Sequence, residues 1–220
     1  MLIDKMTEMR ETLIRQANIV EQMLADCRRG LQDNDRTALE RVIGADEREV
    51  NSLEIRIDGL CLNILALFHP EAKDLRLTVM MSKMTSDLER MADGAVNIAE
   101  SALVLIGHPA ALASRQEILV MAEETMRMVK DGIQSFINED AALAKDVCAR
   151  DSGIDRRRDH LWEELAGVMA AEPQTIERAL HLLRIANNLE KIADVTTNIA
   201  EETVFTASGF VIKHHLDERD

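Results

Sequence analysis

A fourteen-residue segment of this chain occurs twice, and the second copy constrains the fold more than any other feature. Asp87-Leu88-Glu89-Arg90-Met91-Ala92-Asp93-Gly94-Ala95-Val96-Asn97-Ile98-Ala99-Glu100 returns as Asn188-Leu189-Glu190-Lys191-Ile192-Ala193-Asp194-Val195-Thr196-Thr197-Asn198-Ile199-Ala200-Glu201, with eight of fourteen residues identical. Three of the changes (Arg90/Lys191, Met91/Ile192, Asp87/Asn188) keep charge, apolar character or shape. A long spaced repeat of this kind predicts two copies of one structural unit, each carrying the same acidic pattern.

Composition selects the unit's class. The 220 residues are 46% hydrophobic but only 2% aromatic, with three prolines and nine glycines, a balance that disfavours strands and favours long helices. The chain is therefore predicted to be all-α. Its formal charge of −14 repels phosphate backbones and anionic lipid head groups, which argues against nucleic acid and membrane surfaces as partners and favours divalent cations or basic protein surfaces. Met1–Glu8 has no signal-peptide core, and no stretch reaches the ~20 apolar residues of a spanning helix, so a cytoplasmic protein without direct membrane insertion is expected. Cys27, Cys61 and Cys148 are widely spaced in helical pattern and read as buried, reduced thiols.

Turn signals are sparse and regular. Gly30 with Asp33-Asn34-Asp35, His69-Pro70, Gly107-His108-Pro109, Asn138-Glu139-Asp140 and Glu172-Pro173 divide the chain into six helices at 2–30, 35–68, 70–106, 110–137, 139–170 and 173–206. The longest would extend on the order of 50 Å. The repeat puts helices three and six in equivalent places, which predicts two tandem three-helix bundles, residues 1–107 and 108–208, followed by a tail, 209–220. With so short a connection the bundles are expected to pack side by side as one body.

At 100° per residue, Met84, Leu88, Met91, Ala95, Ile98 and Ala102 form the inward seam of helix three, and Glu89, Asp93, Asn97 and Glu100 fall opposite. Helix six repeats this, with Ile185, Leu189, Ile192 and Ile199 inward and Glu190, Asp194, Asn198 and Glu201 outward. Helix two adds Glu47, Asn51, Glu54 and Asp58 on one side, away from Val50, Leu53, Ile57 and Ile64. In helix five the counterpart is Asp151 and Asp155, continued by Arg158 and Trp162, a set poorer in ligands. Like charges at i, i+4 repel by a few tenths of a kcal/mol per pair, roughly, which a cation would offset. Clustered carboxylate and amide oxygens suit Mg²⁺, Ca²⁺, Mn²⁺ or iron, with zinc more usually recruiting His or Cys. The bland alternative is a solvated acidic face, which would not require the same residues at the same places twice. The run Arg156-Arg157-Arg158 reads as a solvated face paired with surrounding acids, and adjacent His214 and His215 in the tail point apart.

The paired L-E-[RK]-[MI]-A-D-x-x-x-N-I-A-E segments, each on the last helix of a three-helix bundle, closely resemble the signatures of the PhoU family, bacterial accessory regulators of phosphate uptake. The resemblance spans about residues 5–206. It implies surface iron or zinc clusters, beside the manganese and magnesium that the donor chemistry suits, on Glu89-x-x-x-Asp93 and Glu190-x-x-x-Asp194, with Asn97 and Asn198 one turn on. The partner helices would contribute Glu47-x-x-x-Asn51 and Asp151-x-x-x-Asp155. Asn51 stands where a carboxylate is usual, and Ala92 and Ala193 stand where the family motif commonly has glycine. The resemblance further implies a non-enzymatic, homodimeric regulator that restrains high-affinity phosphate uptake and the phosphate-starvation response. Its implied partners are the nucleotide-binding subunit of the phosphate ABC transporter and the phosphate-sensing histidine kinase, and its place is the cytoplasm, beside the inner membrane through those partners. Two other readings of the same residues are a carboxylate-bridged metalloenzyme, which would need an enclosed site with an open coordination position, and a metal-free helical scaffold serving another transporter or a stress response.

Overall fold

The computed structural model describes residues 1–108 and 112–208, the side chains of 207 and 208 excepted. The tail 209–220 with His214 and His215, and the break at Pro109, lie outside the described residues. Among the described residues there is no strand: α1 (Leu2–Asp33), α2 (Arg36–Arg41), α3 (Glu47–Phe68) and α4 (Ala72–Ile106) are followed by α5 (Arg115–Asn138), α6 (Ala141–Ala171) and α7 (Ile176–Ser208). A π-helical turn, Val42–Asp46, joins α2 to α3, and a 3-10 turn, Pro173–Thr175, leads into α7. The chain is all-α, as its composition requires.

α1, α3 and α4 pack on one another, as do α5, α6 and α7. The two groups meet along α4 and α7, with α1 lying against α5, and one apolar core runs through both. The inward seams are where the helical period puts them: Met84, Leu88, Met91, Ala95, Ile98 and Ala102 are buried, as are Ile185, Leu189, Ile192 and Ile199. Along the α4–α7 seam, Lys83 pairs with Glu202 at 3.0 Å and Arg184 with Glu100 at 2.8 Å, so numbering rises on one helix as it falls on the other. The two helices are antiparallel. Between these pairs, Gly94 faces Ile192, and a Cβ added there would sit 3.0 Å from Ile192 Cδ1 and Cγ1.

Three expected boundaries shift. Gly30 does not end the first helix; α1 continues to Asp33 and stops at Asn34, whose φ of 56° is left-handed. Gly30 is instead buried where Leu39 packs so closely that any Cβ would overlap it. The fourth helix begins at Arg115 rather than 110, after a turn at Ala113-Ser114, and the Ser114 hydroxyl donates to Glu164 at 2.7 Å. The second helix is not uniformly α. Buried Val42 and Val50 are eight residues apart, about 80° out of phase in a regular helix, and the wider π turn absorbs that excess so that both face the core. Other punctuation works as expected: His69 and Glu139 end helices at φ 46° and 53°, and Asp140 caps α6 by accepting from the Ala142 and Leu143 amides, each at 3.0 Å.

Candidate functional site

The cleft between α3 and α4 is bridged by two serines. Ser82 donates to Asp58 at 3.2 Å, and one turn along, Ser86 donates to Glu54 at 3.1 Å. Farther along the same cleft, Glu89 comes within electrostatic reach of Asp93, Glu54 and Glu47. Burial, followed by these like charges, pushes the Glu89 carboxyl above the ordinary glutamate range, against the opposing charge of Arg90. Asn51 lies on the same stripe of α3, and its Oδ1 is buried without a hydrogen-bond partner. Glu47, Asn51, Glu89 and Asp93 are thus gathered at one place, with Glu54 as a further carboxylate. The only sequence signal for Ser82 and Ser86 is their spacing of seven and three residues before Glu89, which puts them on its stripe.

The second cleft, between α6 and α7, is built differently. Asp151 faces Asp194, Asp155 and Glu190; burial first, then these charges, push its carboxyl up to about 6. Burial also raises Glu190, with Arg158 opposing. Arg158 pairs with Glu190, sits 2.9 Å from Asp159 and lies 3.6 Å from Asp155, so the protein supplies its own cation in the middle of this acidic set. One turn on, Trp162 Nε1 donates to Asn187 Oδ1 at 3.2 Å. Arg157 likewise pairs with Glu117 and Glu124, while Arg156 donates to the Ser152 hydroxyl at 3.2 Å, so two of the three arginines of the basic run pair with neighbouring acids. Cys148, expected to be buried, is only half-buried at the edge of this cleft; burial and the charges of Glu201 and Asp151 push its thiol up to about 11.

Asn97 and Asn198 leave these clefts for a third feature, a groove of about 720 Å³ between α4 and α7 that Asp93 and Asp194 also line. Asn97 donates to the Asp93 carbonyl at 3.0 Å, and its Oδ1 accepts from Arg184, which also pairs with Glu100. Because both acidic stripes border this single groove, they lie on one face of the molecule, astride the seam. Separate outer stripes on two bundles, the arrangement suggested by each helix alone, become one continuous surface.

Among the described residues, no three His, Cys, Asp or Glu side chains already converge as a ligand cage. The donor chemistry of the α3–α4 cleft nonetheless fits a hard cation: crowded carboxylates from two helices and an orphaned amide oxygen, with the nearby Arg90 paired to Asp87 at 3.2 Å. The α6–α7 cleft fits one less well, since Arg158 already offsets its charge.

Comparison with known proteins places these features in a wider set. The family model of the PhoU domain matches the chain twice, at residues 13–102 and 118–203. A phosphate-specific transport system accessory protein PhoU homolog of Aquifex aeolicus is 36% identical over 219 residues, covering 99% of this chain and 98% of that protein. A protein of the same description from Pseudomonas putida is 32% identical over 210 residues, 96% of this chain and 82% of that one. The crystal structure of PhoU from Pseudomonas aeruginosa superposes with a TM-score of 0.92 at 30% identity, covering 96% of this chain and all of that one. A phosphate transport system regulatory protein PhoU from Streptococcus pneumoniae superposes with a TM-score of 0.87 at 26% identity, over 96% of this chain and 99% of that one.

Proposed function

Because this chain belongs to the PhoU family, we propose that it is an accessory regulator of phosphate transport, restraining high-affinity uptake when phosphate is plentiful. The observation that carries this reading is the end-to-end match to proteins named as phosphate-specific transport accessory proteins, 99% of this chain against 98% of the Aquifex aeolicus relative. The role proposed is non-enzymatic: the protein acts by contact with the nucleotide-binding subunit of the phosphate ABC transporter and with the phosphate-sensing histidine kinase. No helix of the described residues is long and apolar enough to cross a membrane, so the proposed place at the inner membrane depends on those contacts.

Among the described residues the carboxylates border open clefts and a groove, with no enclosed cavity around a reactive group, and that supports docking better than catalysis. Glu47, Asn51, Glu54, Glu89 and Asp93 are the residues that would hold a metal ion in the first cleft, iron or zinc by family and Mn²⁺ or Mg²⁺ by donor chemistry. A bound cation would neutralise crowded charge and stiffen the α3–α4 pair. The test is replacement of the chromosomal gene by a deletion or by Glu89→Ala/Asp93→Ala/Glu190→Ala/Asp194→Ala, with phosphate uptake and phosphate-starvation promoter output measured in phosphate-rich medium. Derepressed uptake in the deletion is expected, and uptake unchanged by the deletion would refute the reading.

A further inference from the structure

Away from the acidic face, the starts of α1 and α4 and the ends of α5 and α7 come together at one end of the molecule. Gln16 bonds to Thr85 and Cys27 to the Ala95 carbonyl, so α1 and α4 run parallel. Arg10 bonds to the Ile137 carbonyl and Arg28 pairs with Glu123, so α5 runs against them, as α7 runs against α4. The first three of these helices line a cavity of about 250 Å³, walled by Ile3, Met6, Leu77, Met81 and Phe136. Met81 is buried, Met6, Leu77 and Phe136 are half-buried, and Ile3 is 77% exposed. Polar groups of the same lining are engaged within the protein: Arg10 donates to the Ile137 carbonyl at 2.6 Å, and Glu139 accepts from Lys73 at 3.1 Å. The cavity therefore calls for an apolar occupant. It is smaller than the roughly 300–1,000 Å³ of most small-molecule sites, a size that suits a few peptide side chains better than a cofactor.

The last turn of α7 delivers the chain to this place. Glu202 pairs with Lys83, and one turn later the Thr206 hydroxyl meets Met80 Sδ, so α7 descends along α4 towards the turn that carries Leu77. Gly132 of α5 faces Thr196 of α7, so the last residues of α7, to Ser208, run past the end of α5 at Asn138. The segment that follows is Gly209-Phe210-Val211-Ile212, three consecutive apolar residues after a glycine in an otherwise polar stretch. Two to four residues of extended chain span about 7–14 Å, enough to cross the end of one helix, itself about 10–12 Å wide.

We infer that the cavity between α1, α4 and α5 is the docking site of this chain's own segment Phe210-Val211-Ile212, with the Phe210 ring seated against Met6 and Met81. Burying the ring and the two branched side chains removes apolar surface from water on both sides of the contact. Methionine walls suit a ring, since the thioether is polarizable and adapts its shape. The docked segment ties α7 of the second bundle to α1 and α4 of the first, and closes the end of the core that Ile3 leaves exposed. Nothing in this seating depends on the regulatory role proposed above.

The experiment is solution NMR on the full chain with labelled methionine methyls. Contacts between the Phe210 ring and the methyls of Met6 and Met81 are expected, and they should persist on dilution. Phe210→Ser should move both methyl signals, leave that of buried Met121, about 22 Å away along α5, in place, and lower the melting temperature by roughly 2–4 °C. Leu77→Glu, which alters the cavity wall and leaves the segment intact, should abolish the same contacts. Met6 and Met81 signals indifferent to Phe210→Ser overturn the docking. Contacts seen only between differently labelled chains, and lost on dilution, place the segment in a second copy and overturn it as well.

Discussion

Gly94 of α4 faces Ile192 of α7 across the seam of the two helices, where a Cβ on Gly94 would lie 3.0 Å from two atoms of the isoleucine side chain. The two halves of the repeat meet here, so the residue that lets them touch also sets the spacing of the acidic stripes on either side.

Gly94→Val should therefore destabilise the protein by about 2 kcal/mol, the usual cost of forcing extra carbon into a packed contact, despite valine's higher helix propensity. Urea unfolding checks this, and Gly94→Val with Ile192→Ala should recover part of the loss. Stability equal to wild type in the single variant would mean the seam is looser than described.

Leu88 and Glu89 are neighbours with opposite roles. Leu88 is fully buried, and Leu88→Asp should cost about 4 kcal/mol by placing a carboxylate in the core. Glu89→Ala should leave stability unchanged or slightly raised, because burial and neighbouring acids disfavour the Glu89 charge. Similar melting temperatures for the two variants would contradict the assignment of faces.

Asp151 supplies a pH signature. Its carboxyl titrates near 6 in the folded chain against an ordinary value of 3.8, so the native state holds a proton that the unfolded state has released. This group's contribution is most favourable below about 4 and is lost as pH rises towards 6. In chelator-treated protein, Asp151→Asn should match wild type near pH 4 and exceed it by about 1 kcal/mol at pH 7.5, a figure reduced for solvent screening. A pH-independent difference in thermal unfolding would contradict the crowding of Asp194, Asp155 and Glu190 around it.

Arg158 fills the electrostatic role of a cation in the second cleft. Arg158→Gln should lower the melting temperature of the metal-free protein and make the second cleft a tighter site for added Mn²⁺, measured by calorimetry. Removing Glu89 and Asp93 should not abolish that new binding. Unaltered Mn²⁺ affinity in Arg158→Gln would show that the arginine does not compete with a cation there.

Much of this molecule was legible one helix at a time. A 3.6-residue period separates Leu88 from Glu89 and Ile192 from Glu190 without reference to any neighbour, and left-handed residues such as His69 and Glu139 end helices through local sterics. Gly30 was misread for the same reason. A glycine near a predicted helix end looks like a terminator, and only the side chain of Leu39 shows that it is a packing site within a continuing helix. The π turn at Val42–Asp46 was hidden likewise, because it corrects a phase mismatch that matters only once α2 and α3 share a core.

The sequence by itself determined the helices, their inward and outward faces, and the repetition of the acidic pattern, since each follows from local periodicity and from two copies of one segment. Tertiary structure alone decided that α4 and α7 run antiparallel against each other, that both stripes therefore share one face, and that Arg158 pairs with Glu190 across the second cleft. Those outcomes depend on contacts such as Arg184 with Glu100, 84 residues apart. A helix's periodicity records which side is buried, and it carries no information about which helix does the burying.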